Sequence, residues 1–309
     1  MEILVSGSLA YDRIMDFPGR FSEHILPEQI HMINVSFTVN SLTENFGGTA
    51  GNIAYALSLL GEKPRIVATI GQDYHRYFEW LASHDLGAEN IRVVTDELTA
   101  GAYITTDLDN NQITGFNPGA MKQQAGFDYD GIDPKNTVAI VAPGNIQDMA
   151  QMTERHRELG IYSIFDPGQS LPIWDPADLA RAISQSKVLV SNDYELEMIS
   201  NRTGLSRQQL GDTIEHIIVT KGEHGAELMG PGGPVYVPAV PTDSVLDPTG
   251  AGDAFRGGFI KGLIEGQTLE RSVQMASVCG HYAVQTYGTQ EYSFTADEFR
   301  AKLEQHYGG

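Results

Sequence analysis

The chain has 309 residues, 41% of them hydrophobic and 19% charged, with a formal net charge of −20. That length supports an ample core, and the acidity argues against a nucleic-acid surface. A single cysteine, Cys279, excludes an internal disulfide and a cysteine-based metal site. No apolar run is long enough to cross a bilayer, and the opening Met1-Glu-Ile-Leu-Val-Ser6 carries no basic leader, so a cytoplasmic protein with no membrane partner is expected.

Short β-branched runs alternate with helical patterns along the chain. Strands are expected at 3–5, 64–70, 137–141, 162–165, 188–190 and 216–220. Helices are expected over 51–60, 76–86, 147–159, 177–186 and 194–200. Apolar strands separated by helices predict an α/β fold, one domain over 1–309, with a mostly parallel central sheet covered on both faces. Such sheets bind ligands beyond the carboxyl ends of their strands. Asp12, Gly144, Asp166, Asn192 and Lys221-Gly222 each fall just after one of these strands. Two regions break the alternation. Residues 30–45 read as extended, with Ile33, Val35, Phe37 and Val39 alternating with polar residues. Segments 101–106 and 112–116 flank Asp109-Asn-Asn111, a hairpin turn signal. Together they predict a small β-sheet outside the main layer. A second copy of the chain could pair with its edge, giving a homodimer.

The most informative stretch is Asp247-Pro-Thr-Gly-Ala-Gly-Asp253-Ala-Phe-Arg-Gly-Gly258. Extended segments at 235–240 and 244–246 precede it, and 254–263 is small and apolar enough for a buried helix. Gly250, Ala251 and Gly252 therefore form a turn opening a helix, where backbone N–H groups converge and the helix dipole favours an anion. Asp253 adds a carboxylate to this nest. A base beside an anion cradle suits deprotonation of a group that attacks a phosphoryl centre, although Asp and Gly are also ordinary helix-start residues. Gly47 to Asn52 is glycine-rich but lacks the lysine of a phosphate-binding P-loop.

The string at 247–258 resembles the C-terminal signature of the ribokinase/PfkB family of carbohydrate and nucleoside kinases. Phe46-Gly-Gly-Thr-Ala-Gly-Asn52-Ile-Ala-Tyr-Ala-Leu57 is similar to the family's first glycine signature, so the resemblance spans nearly the whole chain. It implies a ribokinase-like fold with a β-sheet lid, built from roughly 13–46 and 98–120, that closes over substrate. It implies ATP as co-substrate, Mg²⁺, and Asp253 as the catalytic base with an anion hole at Gly250–Gly252. Asp12, whose two oxygens suit vicinal ribose hydroxyls, would bind substrate with Gly48 and Asn52. Asn192-Asp-Tyr-Glu195 matches the family's Asn-x-x-Glu motif, which would place Glu195 near Mg²⁺ through water; the same spacing makes a helix-capping pair. Asn192, Thr220 and Gly222 would contact ATP, and Lys221 is either a phosphate cation or a surface residue. Asp247 and Thr249 match positions that hold K⁺ in some relatives.

Two segments, 106–121 and Tyr287-Gly-Thr-Gln290, look more like nucleoside kinases than sugar kinases. Phe37, Phe116 and Met121 could meet a planar base, or serve as core. Sugar-specific relatives carry a polar residue where this chain has Ala10. The acceptor is therefore expected to be a nucleoside, adenosine first. A fructokinase- or ribokinase-like sugar kinase stands second, and a non-catalytic nucleotide-binding regulator is a distant third.

Overall fold

A computed structural model describes residues 1–25, 35–109 and 111–308. The chain opens with β1 (Glu2–Ser6), β2 (Ala10–Asp16), α1 (Phe21–His24), β3 (Ser41–Gly47) and α2 (Thr49–Leu59). It continues through β4 (Arg65–Ile70), α3 (His75–Ser83), β5 (Ile91–Val93), β6 (Ala100–Thr106) and β7 (Gln112–Asn117). Then come β8 (Thr137–Val141), α4 (Ile146–Leu159), β9 (Tyr162–Phe165), α5 (Pro176–Gln185), β10 (Val188–Asn192), α6 (Asp193–Thr203) and α7 (Arg207–Thr213). The last elements are β11 (His216–Thr220), β12 (Ala226–Met229), β13 (Val235–Val237), α8 (Ala251–Ile264), α9 (Leu269–Ala283) and α10 (Ala296–Tyr307).

Nine strands form the main sheet in the order β13-β12-β11-β10-β9-β8-β1-β4-β5. All neighbours are parallel except at β12 and β13, which run antiparallel at one edge. Because the parallel strands are apolar along their length, both faces need cover. Helices α2, α3 and α8 pack on one face around Ile53, Leu57, Tyr77, Leu81, Phe255 and Phe259. Helices α4 to α7 cover the other through Met149, Leu179, Ile183, Ile199 and Leu210. Helix α9 packs beside α8 on the same face, over β12 and β13, through Val273 and Ala276, and α10 packs against it, with Cys279 wholly buried there as an inert thiol. Among the described residues, no helix is long and apolar enough to cross a membrane.

The order of strands reverses at β1, which pairs with β4 on one side and β8 on the other. A crevice opens beyond the carboxyl ends of the strands at such a point. Thr49, at the start of α2, ties that helix to the crevice: its hydroxyl donates to the Pro143 carbonyl at 2.7 Å and accepts from Ser8 N at 3.2 Å.

A second, four-stranded sheet has the order β3-β2-β6-β7. It is the expected small sheet, with changes at its borders. It begins at Ala10, so Asp12 lies within a strand of this sheet instead of in a turn after β1. Of the expected extended stretch 30–45, only 41–45 belongs to a strand, β3, among the described residues; residues 30–34 lie outside them. Phe37 packs with Phe17, Phe21 and His24, at 4.6 Å between the centroids of Phe17 and Phe37. That fixes it in an aromatic cluster of this sheet's own. Residues 244–246 are not a strand, because Leu246 N bonds to Val284 O at the end of α9 rather than entering a ladder. The periodicity also missed α7, α9 and α10.

Candidate active site

Gly250 immediately precedes helix α8, and its φ of 77° is a left-handed conformation. A Cβ here would stand 2.9 Å from the Thr289 side chain, so both conformation and space demand glycine. No side chain caps the helix. The Ala251 amide leans on Pro248 O at 3.3 Å. The Gly250, Gly252 and Asp253 amides donate to no protein group among the described residues. These are the orphan donors of a helix's first turn. Of the expected Gly250–Ala251–Gly252 amides, that of Ala251 is engaged, and the Asp253 amide joins those of Gly250 and Gly252 as unpartnered.

Asp253 is the third residue of the helix. Burial pushes its carboxyl up to about 7; the hydrogen bond from Asn52 and the nearby Arg256 pull it down, while Asp166 and Asp12 push it up. The carboxyl thereby lies between its acid and base forms near neutral pH. Asn52 Nδ2 donates to Asp253 Oδ2 at 2.7 Å. Asn52, expected to read substrate hydroxyls, is therefore first of all a partner of Asp253. Gly48, with φ of 91°, starts α2 so close to β2 that a Cβ would meet Ser8 O at 2.6 Å.

Asp12 lies on the same side of the crevice. Burial, then the neighbouring Asp247, raise its carboxyl to about 6. Its strand neighbours are Asn45 on β3 and Ala102 on β6, and Ala102 in turn faces Phe116 on β7. Residues in register share a face of the sheet, so Asp12 and Phe116 look the same way with only Ala102 between them. Phe116 is 53% exposed.

Thr220, Asn192 and Asp166 stand at the carboxyl ends of β11, β10 and β9 as expected. Asn192 and Glu195 form a reciprocal capping box, Glu195 Oε2 accepting from Asn192 N at 2.8 Å and Asn192 Oδ1 from Glu195 N at 2.7 Å. Burial, then Asp166, raise the Glu195 carboxyl; the Asn192 amide and Arg256 oppose this. Capping engages only one of its oxygens. Asp166 Oδ1 is buried with no partner among the described residues. Two close carboxylates with unspent acceptors fit a hydrated Mg²⁺ held mostly by water and phosphate oxygens. Among the described residues no cluster of three or more ligating side chains exists for a fully protein-bound ion. Lys221 pairs with Glu227 at 2.6 Å. Asp247 spends its two oxygens on the Thr249 and Gly288 amides, at 2.9 and 3.1 Å. That is turn chemistry and gives no support to a K⁺ site.

Arg256, Thr289 and Gln290 lie in segments that the sequence points to, but the sequence gives none of them a role of its own. Arg256, one turn beyond Asp253, donates to Asp166 Oδ2 at 2.9 Å and to Gly252 O at 3.0 Å. An arginine three residues after the motif aspartate was visible, but its partner was not. Gln290 donates to Asn52 Oδ1 at 2.9 Å, and Thr289 Oγ1 donates to Phe46 O at 2.9 Å. The segment 287–290 thus joins the small sheet, α2 and the Asp247 turn.

The family pattern described as "pfkB family carbohydrate kinase" matches residues 9–296. The fold is similar to that of a Burkholderia thailandensis nucleoside kinase in complex with inosine, with TM-score 0.87, 42% identity, and 99% of this chain and 98% of the other covered. It is also similar to the Methanocaldococcus jannaschii nucleoside kinase, with TM-score 0.87, 28% identity and 99% of each chain covered. A Methanothermobacter thermautotrophicus nucleoside kinase is 30% identical over 294 residues, 94% of this chain and 91% of its own. With its doubly covered sheet, small β-sheet lid, and Gly-Ala-Gly-Asp turn at the crevice, the chain belongs to the ribokinase/PfkB family of kinases, which act on hydroxyl-bearing small molecules.

Proposed function

We propose that this protein transfers the γ-phosphoryl group of MgATP to the 5′-hydroxyl of a nucleoside, adenosine first and inosine also, giving the nucleoside monophosphate and ADP. The observation that carries the chemistry is Asp253 itself: a carboxyl raised to about 7 at the mouth of an uncapped helix N-terminus. Asp253 accepts the proton of the hydroxyl. The freed oxygen forms a bond to the γ-phosphorus as the bond to the β-phosphate oxygen breaks. The Gly250, Gly252 and Asp253 amides and the dipole of α8 stabilise the charge on the transferring oxygens. Mg²⁺, when bound, neutralises phosphate charge; Glu195 would hold its water shell, and Asn192, Thr220 and Gly222 would position the nucleotide.

The row Asp12–Ala102–Phe116 supports a nucleoside. Two strand spacings separate its ends, about 10 Å, a span suited to a ribose at Asp12 and a base at Phe116. The small Ala102 between them leaves room, and the exposed phenyl gives the base a stacking face. Ala10, on the same face two residues before Asp12, offers no hydroxyl contact of the kind a free sugar needs. Lid closure would exclude the water that otherwise accepts the phosphoryl group. The B. thailandensis relative's inosine complex supports a purine nucleoside.

The test is an ADP-release assay with adenosine, inosine, cytidine, ribose and fructose. Purine nucleosides should exceed the free sugars in kcat/KM by about five- to 150-fold, the base contributing roughly 1–3 kcal/mol. Ribose or fructose equal to adenosine would replace this reading with a sugar kinase using the same Asp253 chemistry.

A further inference from the structure

The bond from Asn52 to Asp253 has a defined polarity, and the polarity is set outside the site. An asparagine amide turned over by half a turn would present oxygen to Asp253, lone pair against lone pair. What selects the donor orientation is a chain of groups running inward from the half-buried Trp80. Trp80 Nε1 donates to Gln290 Oε1 at 2.7 Å. An indole N–H can only donate, so the Gln290 oxygen must face Trp80 and its NH₂ must face inward. Gln290 Nε2 donates to Asn52 Oδ1 at 2.9 Å and to the Tyr77 hydroxyl at 3.1 Å. Tyr77 spends its own proton on the Gly47 carbonyl at 2.7 Å, so toward Gln290 it can only accept. Two independent neighbours thus demand the same orientation of Gln290. With the Gln290 NH₂ facing Asn52, the Asn52 oxygen must face Gln290, and its NH₂ is delivered to Asp253. Gln290 is 1% exposed, Tyr77 fully buried and Asn52 5% exposed, so water cannot substitute for a missing partner.

We infer that Gln290 is a positioning residue for phosphoryl transfer, relaying the donor-only character of Trp80 through Asn52 so that a hydrogen bond always reaches the Asp253 carboxylate. It touches neither substrate nor nucleotide in this role. Its effect is to favour the ionised, proton-accepting form of Asp253 against its surroundings and to hold that carboxylate in one place. The other groups bearing on Asp253 are Arg256 on its own helix, Asp12 on β2, Asp166 after β9, Tyr77 on α3 and Tyr292 before α10. Of these only Arg256 is a cation, so the Asn52 hydrogen bond is a main counterweight to burial. The inference rests on Asp253 being the base, and its test separates the two.

The experiment measures kcat against pH for adenosine at saturating MgATP, with thermal unfolding of each variant alongside. Gln290→Met removes the amide at similar volume. Gln290→Glu keeps the shape but, when ionised, can only accept. Asn52 must then turn its NH₂ toward the introduced carboxylate and its oxygen toward Asp253. The acid limb of the profile should rise by about one pH unit in Gln290→Met, because Asn52 is then free to turn its oxygen toward the protonated Asp253 carboxyl and stabilise the neutral form, and further in Gln290→Glu. At pH 7 kcat should fall roughly tenfold and then more, in that order. A residue that merely packs would give a kcat loss tracking the folded fraction with an unmoved acid limb, and that result overturns the inference. If neither variant folds, Trp80→Phe combined with Tyr77→Phe decides. Both groups that orient Gln290 are gone while Gln290 remains, and an unmoved acid limb again refutes the relay. Asp253→Asn serves as the control: turnover near wild type in that variant would overturn the base assignment, whereas lost turnover with unshifted Gln290 profiles would overturn the relay alone.

Discussion

The Arg256 guanidinium donates to Asp166 Oδ2 at 2.9 Å with both side chains buried, and the same guanidinium reaches back to the Gly252 carbonyl at 3.0 Å. One side chain therefore joins the end of β9 to the first turn of α8. The two are 90 residues apart in sequence. A buried charge pair of this kind contributes little net stability over an apolar pair, but breaking it is costly.

Arg256→Met should destabilise the fold by roughly 3–5 kcal/mol, because it leaves Asp166 charged and unpaired. Adding Asp166→Asn should restore part of that loss. Chemical unfolding of the two single variants and the double variant reads the coupling. Strictly additive losses would show that the pair is not energetically coupled.

Asp253→Asn should reduce kcat by about 10²–10⁴-fold, the usual contribution of a general base, with MgATP binding retained. It should also alter stability in a pH-dependent way. The Asp253 carboxyl has a folded value of about 7 against an ordinary 3.8. Between those values the folded state holds a proton that the unfolded state has released. Wild-type stability from this group is therefore intact below about pH 4 and declines as pH rises toward 7. The neutral amide avoids that decline, so the Tm advantage of Asp253→Asn should be greater at pH 8 than at pH 5. An equal difference at both pH values would contradict the raised carboxyl.

Glu195→Gln isolates charge from capping. Glutamine closes the same box with the Asn192 amide, so the start of α6 should survive and Tm should change little. Turnover should fall most at limiting free Mg²⁺ and recover in part at saturation. The same proportional loss across the Mg²⁺ range would reduce Glu195 to a helix cap.

Asp12→Ala and Phe116→Ala should separate the two ends of the proposed nucleoside. Removing the carboxylate should lower kcat/KM for adenosine more than for 2′-deoxyadenosine, since the lost bonds are those to the diol. Removing the phenyl should weaken adenosine by roughly 1–3 kcal/mol in kcat/KM and leave ribose, whatever its rate, unchanged. A Phe116 variant indistinguishable from wild type on adenosine would place the base elsewhere.

The amino-acid sequence by itself carried what depends on near neighbours. Apolar runs alternating with helical periods gave the covered parallel sheet. Gly-Ala-Gly-Asp, with glycine where φ must be positive, gave the start of α8 and its orphan amides. Asn192 and Glu195, three apart, gave the capping box. Each follows from backbone conformation within a few residues, where side-chain type and spacing determine the outcome. The tertiary structure alone decided which distant groups face each other. Asn52 meets Asp253 across 201 residues, and Gln290 orients Asn52 across 238. Asp12 and Phe116 share a face only because β2, β6 and β7 pair in one register, and a one-residue slip would send them to opposite sides. Those pairings depend on how strands order and helices pack around a common core, and no local pattern in the chain encodes the partner of a buried polar group.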